Sequence, residues 1–472
     1  MLNQSFSAHN LEVIFDLENR KGNIDINWMP EAYRNAAAKM KEIRSQISEL
    51  KGKGRKKTDD DINKIFELEN ANKSEKEIKE RSRKAFLKDC EDTINSKDFE
   101  IKMKKYLDSD SGKEVFTLNM DEPAVFFALK QLQYNIHKTF KVRQANRHAI
   151  LCDVKALLHT RVPLHIVRTD ISSFYESIPQ VALLEKIEGN TLLSHKSKAL
   201  IRALLKLYDD CKDTALVPEG FGVPRGIGIS PLLSEIYVRD LDSNIMSFNG
   251  TLFYARYVDD IFVILTSLPA GCNDAKGYFT SMRTLFGGYG LSLKDETDPK
   301  GKGIIMDFVE SDKSYPPFDY LGYRIAIERK KRQITTSFGL SANKVSHFKE
   351  KVDHIVKHFE NKSKCNIKEA YQDLFDSLNY ITGNTKLFKS KAGVKVGLYY
   401  NNDLLDKKED LDALQQYLRD KEIEPSHTSI GWSECKAKIA KKVAGIDFRD
   451  RWEKKKMFHF SLVRIQEMEE WL

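Results

Sequence analysis

The stretch "LFYARYVDDIFVIL", Leu252 to Leu265, reads as two short β-branched and aromatic runs that meet at adjacent carboxylates, Asp259 and Asp260. Such residues fit a pleated, half-buried surface, so the stretch predicts a hairpin with the aspartates at its tip. Two neighbouring carboxylates repel each other and are costly to bury, so the tip is expected either to face water or to hold cations. Mg²⁺ takes one or two carboxylates and completes its octahedron with water and phosphate oxygens. That second alternative asks for another carboxylate, and "HIVRTDISSFYESIP", His165 to Pro179, offers one at the end of a strand-like run, Asp170, before a Ser/Phe/Tyr stretch that could begin a helix. Together the three suit two-metal nucleotidyl transfer, in which one ion activates a hydroxyl and the other steadies leaving pyrophosphate.

Between these segments lies "FGVPRGIGISPLLSEIYVRDLD", Phe221 to Asp242. Gly222, Gly226 and Gly228 permit close backbone approach to a flat ligand, and Ser230-Pro231 opens a predicted helix with Leu232, Leu233, Ile236, Tyr237 and Leu241 on one side. A glycine-rich turn before a helix is more often only a loop, so this segment gains meaning from its place between the aspartates.

The whole chain sets the bounds. Its 472 residues amount to roughly three domains' worth of sequence. With 41% hydrophobic residues, its longest apolar runs are far too short to cross a bilayer. The opening "MLNQSFSAHN" lacks a basic and then apolar leader pattern, so the expected location is the cytoplasm, with no membrane partner. Six dispersed cysteines without a CxxC pair argue against zinc and against a disulfide framework, leaving reduced, mostly structural thiols. A net charge of +8 suits a polyanionic partner.

Three regions are expected. Residues 1–110 form a helical N-terminal extension, in which Ala36, Met40, Ile43, Ile47 and Leu50 make a narrow apolar stripe. "KGKGRKKTDDD", Lys51 to Asp61, breaks that helix as a solvated loop, and its acidic end is placed to cap the next one. Residues 111–335 mix strands with helices and carry the motifs. Residues 336–472 return to helices: Val345, Phe348, Val352, Ile355, Val356 and Phe359 mark one apolar face, and Tyr371, Leu374, Phe375, Leu378 and Ile381 another before Gly383. "VKVGLYYNN" follows as a short strand-like run, then a basic helical tail.

Taken in order, the segments resemble those of a reverse transcriptase over roughly residues 140–330. "RTDISSFYESIP" is similar to the first palm motif, "GVPRGIGISP" to the second, "YVDD" to the third, "LSLKDET" to the fourth and "FDYLGYRI" to the fifth. The resemblance implies an α+β right-hand polymerase, with fingers and an antiparallel palm sheet in 111–335 and a helical, thumb-like region in 336–472. It implies an RNA-directed DNA polymerase that takes dNTPs, an RNA template and a DNA product, with Mg²⁺, or Mn²⁺ in its place, on Asp170, Asp259, Asp260 and the carbonyl of Ile171.

Tyr175 falls on the aromatic beneath the sugar, and Arg225 and Gly226 on the loop that supports base pair and triphosphate. Lys294 matches the lysine near the leaving phosphates, and Leu321, Gly322 and Tyr323 match the primer grip. The sequence departs from the family at Arg225, where many retroviral members carry glutamine. In "KVRQANRHAILCDVKALLHTR", Lys141, Arg143, Arg147 and Lys155 are candidates for triphosphate or template contact, against the plainer reading of a solvated charge run.

No ribonuclease H, integrase, protease or endonuclease segment is recognised. "SFYESIP" and "YITGNTKL…VGLYYNN" resemble the bacterial reverse transcriptases of phage-defence and abortive-infection groups, which implies a non-coding RNA template and, as further partners, a second copy or an accessory defence protein. Lys436, Lys438, Lys441, Lys442, Arg449, Arg451, Lys454, Lys455 and Lys456, with Trp452 among them, are expected to form a basic helical face for nucleic acid, against the alternative of a solvated tail. Three other functions stay open: an RNA-dependent RNA polymerase, disfavoured by the aromatic at Tyr175; a catalytically silent palm scaffold; and a template-independent or protein-primed DNA polymerase of the defence group.

Overall fold

The computed structural model describes every residue except 1–2, 55–57, 109–111, 300–301, 310–312, 332, 388–392 and 424–431. In chain order it begins with α1 (Ala8–Lys21), α2 (Glu31–Gly52) and α3 (Asp59–Asn95), then the hairpin of β1 (Met103–Leu107) and β2 (Glu114–Leu118). Next come α4 (Pro123–Phe140), α5 (Arg147–Leu157), β3 (Leu164–Asp170), α6 (Phe174–Ser177), α7 (Gln180–Glu188), α8 (His195–Cys211) and α9 (Ser230–Met246). The aspartate hairpin is β4 (Thr251–Tyr257) and β5 (Asp260–Leu265), followed by α10 (Ala275–Gly288), β6 (Ile304–Phe308), β7 (Lys313–Ser314), β8 (Phe318–Tyr320), β9 (Tyr323–Lys330) and β10 (Gln333–Leu340). The remainder is α11 (Ala342–Ser363), α12 (Ile367–Thr382), β11 (Asn384–Lys386), β12 (Lys395–Gly397), α13 (Glu409–Arg419), α14 (Trp432–Ala444), α15 (Phe448–Glu453) and α16 (Leu462–Glu469). The fold is α+β with antiparallel sheets, as expected.

Two compact units divide the chain, each from two segments: residues 1–144 with 173–242, and residues 145–172 with 243–472. In the first, α2 and α3 run antiparallel, since Lys39 pairs with Glu75 and Lys51 with Glu69 further along. Of the α2 stripe, Ala36 and Met40 are buried. The break at Lys51–Asp61 is observed, and its acidic end does cap α3: Thr58 and Asp61 exchange hydrogen bonds as a capping box. Arg55, Lys56 and Lys57 of that charged stretch lie outside the described residues. The core of this unit is aromatic, with Phe127 against Phe15 and Phe86. One departure from the expected helical extension is β1, which pairs with β2.

In the second unit, four antiparallel strands in the order β4-β5-β3-β6 form the sheet that carries the aspartates. Ile261 to Leu265 of β5 are fully buried and β3 is nearly so, as the unbroken apolar runs require of inner strands. One core runs from this sheet through Phe262, Phe318 and Tyr320 to Phe338 on β10, and on to α11 and α12, whose predicted apolar faces pack into it. Within the C-terminal basic stretch, several side chains are engaged inside the protein. Trp452 is buried, and its Nε1 donates to the Asn402 carbonyl at 3.0 Å, because α15 turns its aromatic side inward against Tyr399. Arg449 pairs with Asp412, Lys454 with Asp450, Lys455 lies over Tyr399, and Lys442 lies over Tyr371 and Phe375. No described helix is long and apolar enough to cross a membrane.

Candidate active site

Strand register builds the acidic centre. Asp170, last residue of β3, stands opposite Asp260, first residue of β5. Asp259 lies in the two-residue loop that joins β4 to β5, where Tyr257 pairs with Asp260. Val258, first residue of that loop, has φ +61°, left-handed backbone that a β-branched residue rarely adopts. Such strain costs on the order of 1–3 kcal/mol and persists only where the surroundings hold it. Here the Arg256 guanidinium donates to the Val258 carbonyl at 2.8 Å, and the Ile171 amide to the Asp259 carbonyl at 2.9 Å. The result is that carboxylate oxygens of Asp170, Asp259 and Asp260 all lie within 4.8 Å of one another.

Three hard oxygen donors at that spacing, with no sulfur or imidazole among them, fit Mg²⁺ or Mn²⁺ rather than zinc. The surrounding charge separates Asp170 from Asp259. Burial pushes the Asp170 carboxyl upward, but Lys294 and Lys302 outweigh it and hold it below the ordinary range. Asp259 is pushed up, first by burial and then by Asp170 and Asp260.

Lys294, singled out in the sequence, sits on the segment after α10. Its amide donates to the Asp170 carbonyl at 3.0 Å, its carbonyl accepts from Thr169 Oγ1 at 2.7 Å, and its ammonium pairs with Asp170. Two neighbours went unnoticed in the sequence. Lys302 reaches both Asp170 (3.2 Å) and Asp260 (3.4 Å), and Arg168 donates to Asp260 at 2.7 Å. Arg168 was legible: a cation two residues before Asp170 in an otherwise buried strand shares its face and needs a partner. Nothing in the local sequence marks Lys302, whose place depends on the path of the chain into β6.

A cavity of about 1040 Å³ opens beside the acidic centre, lined among others by Arg168, Asp260, Lys302, Leu321, Gly322 and Lys344. Leu321 (φ +44°) and Gly322 (φ +77°) form a two-residue loop between β8 and β9 with both residues left-handed, the pattern of a tight hairpin turn. Arg147, a candidate for triphosphate or template contact, donates Nε (2.8 Å) and Nη2 (2.5 Å) to the Leu321 carbonyl. A Cβ on Gly322 would stand 2.6 Å from Arg147 Nη2 and 2.8 Å from Lys344 Cε, ends of side chains that can shift, so it is the left-handed backbone that favours glycine here. Tyr323 carries Lys344 over its ring at 4.7 Å. Lys155 is likewise engaged, with the Leu404 carbonyl and Asp406.

In the other unit, Tyr175 lies on the short helix α6, half-buried, with Arg225 over its ring at 5.2 Å. The Arg225 carbonyl accepts from the Phe116 amide at 2.8 Å, which ties the glycine loop to β2. Gly226 (φ +93°) faces the same strand: a Cβ there would stand 2.6 Å from Val115 Cγ1 and 2.8 Å from the Phe116 carbonyl oxygen. Its missing side chain thus makes room for β2. Arg143 is exposed on the loop after α4. Lys438 and Lys441 are exposed on α14.

Residues 123–325 match the family described as "Reverse transcriptase (RNA-dependent DNA polymerase)". No curated protein matches the chain. Among solved structures, a telomerase from Candida albicans in complex with a TWJ fragment of telomeric RNA is similar at 11% identity and TM-score 0.39, over 72% of this chain and 64% of that one. Apo telomerase from Candida tropicalis is similar at 13% identity and TM-score 0.37, over 78% and 61%. This chain therefore spans less than two thirds of the length of either. All five motif segments fall inside the matched stretch, which ends at Ile325, the last residue of "FDYLGYRI". Residues 123–325 therefore carry a reverse transcriptase domain, and they hold the three aspartates that the strand register brings together.

Proposed function

We propose that this chain synthesises DNA from dNTPs on an RNA template, with a non-coding RNA as that template and bacterial anti-phage defence as the setting. The observation that carries the chemistry is the convergence of Asp170, Asp259 and Asp260 within 4.8 Å. These carboxylates, with the Ile171 carbonyl, would hold divalent cations, which supply Lewis acidity for hydroxyl attack and for release of pyrophosphate. Asp170 is kept anionic by its lysines and so ready as a ligand. Lys294 lies against it as a cation for the leaving phosphates and a proton source there. The Leu321–Gly322 turn, fixed by Arg147, grips the primer end, and Tyr175 excludes a ribose 2′-hydroxyl by contact.

We assign residues 111–335 to fingers and palm and 336–472 to a thumb-like region. The defence setting rests on the likeness of "SFYESIP" and of the segment around Gly383 to that bacterial group.

Single-nucleotide extension of a DNA primer on an RNA template in Mg²⁺ tests the chemistry. Asp259→Asn is expected to lower incorporation by 10³-fold or more, about 4 kcal/mol in the barrier, while the protein stays folded because one source of carboxylate repulsion is removed. Unchanged incorporation by the variant would refute the metal assignment, and extension that ignores the template would favour a template-independent polymerase. Sequencing of copurifying nucleic acid and of any DNA product tests the template and the defence setting.

A further inference from the structure

A ring selects against a 2′-hydroxyl only if it cannot swing away. Tyr175 sits on a helix of four residues, entered through Ser173 in left-handed backbone (φ +45°). So short a helix cannot by itself fix a side chain that is half exposed. The bracing comes from elsewhere. Arg225 lies with its guanidinium carbon 5.2 Å from the Tyr175 ring centroid, within cation–π range. Arg225 is in turn held by Glu176: Nε donates to Oε1 at 3.1 Å, and Nη2 to Oε1 at 2.9 Å and Oε2 at 3.3 Å. Several bonds from one fork fix the plane of the guanidinium as well as its position, which a lysine cannot do. The backbone closes the loop, since the Val223 amide donates to the Tyr175 carbonyl at 2.8 Å. Lys113 Nζ stands 3.9 Å from Glu176 Oε2 and adds to its anchoring.

We infer that Glu176 and Arg225 are positioning residues that hold the Tyr175 ring and thereby set the enzyme's choice of deoxyribose over ribose. This inference rests on the proposal that Tyr175 is the sugar-excluding residue. It also accounts for the arginine where many retroviral relatives carry glutamine: its charge is answered within the protein by Glu176, and its flat face serves the ring.

The test uses the full chain and compares kcat/KM for one dNTP with that for its rNTP on a DNA-primed RNA template. Tyr175→Val serves as reference, and thermal unfolding checks that each variant folds. Glu176→Gln and Arg225→Lys are each expected to raise the ribose-to-deoxyribose ratio 3- to 10-fold. Glu176→Gln added to Tyr175→Val should change that ratio no further, because it acts through the ring. If Tyr175→Val relaxes selection but Glu176→Gln lowers both efficiencies equally, the sugar-excluding role of Tyr175 stands and the bracing is refuted. If Tyr175→Val leaves the ratio untouched, the role of Tyr175 fails and the inference fails with it.

Discussion

The acidic hairpin and the C-terminal basic stretch, both in the second unit, look alike in sequence: each concentrates one sign of charge in a short segment. In the structure they part. Asp259 and Asp260 are joined by Asp170 through β3–β5 register, and like charges converge on one point. The cations of residues 436–456 are instead spread over α14, α15 and the turn beyond, and several are answered within the protein by Asp412, Asp450 and aromatic rings. Lys294, Lys302 and Arg168 answer Asp170 and Asp260, yet Asp259 is still pushed up by burial and by those two neighbours, so the converging carboxylates keep a repulsion that a further cation would relieve, whereas Arg449 and Lys454 each have an acidic partner within the protein.

That contrast is open to attack first at Lys302, which bridges Asp170 and Asp260. Lys302→Met leaves the carboxylates with less compensation. The expected loss is about 1–3 kcal/mol, below the about 3–5 of a fully buried pair because the lysine is partly exposed. Thermal unfolding in a chelator should show a fall of several degrees that added Mg²⁺ largely restores. A variant equally stable in chelator and in Mg²⁺ would mean that the acidic centre needs no cation, and the contrast would collapse.

Lys344 lies between the two extremes: a cation held inside, beside the Leu321–Gly322 turn. Burial, then Arg147, lowers its pKa to about 8. The unfolded chain keeps this proton up to the ordinary lysine range while the folded protein releases it from about pH 8. Stability on this account therefore rises as pH climbs from about 8 to 10.5, and the penalty is complete below pH 8. Urea unfolding at pH 7 to 10.5 should show that limb in the parent and lose it in Lys344→Met.

The smallest effect is expected at Lys438 and Lys441, exposed and without a described ion-pair partner. If they touch phosphates, changing both to glutamine lowers the log–log salt slope of binding by about 1.8 for duplex DNA and about 1.4 for a single strand. Arg449→Gln, whose charge is already answered by Asp412, should leave the slope nearly unchanged. Equal effects at all three would restore a common basic face and erase the distinction.

The β4–β5 hairpin, the position of Asp170 at a strand end, the helix opening at Ser230 and the apolar faces of α11 and α12 were all readable in the sequence. Each depends on residues within a few turns or strand steps of one another, where periodicity and backbone preference act directly. The order of five short motifs added the reverse transcriptase domain of residues 123–325. Which cations meet the aspartates was decided only in three dimensions. Lys302 reaches Asp170 from 132 positions away and Arg147 reaches Leu321 from 174. Burial of Trp452, capture of Arg225 by Glu176 and the fit of Gly226 against β2 belong to the same class. Side-chain partners across such separations follow from how whole elements pack, and a local pattern records a residue's charge but not the neighbour that answers it.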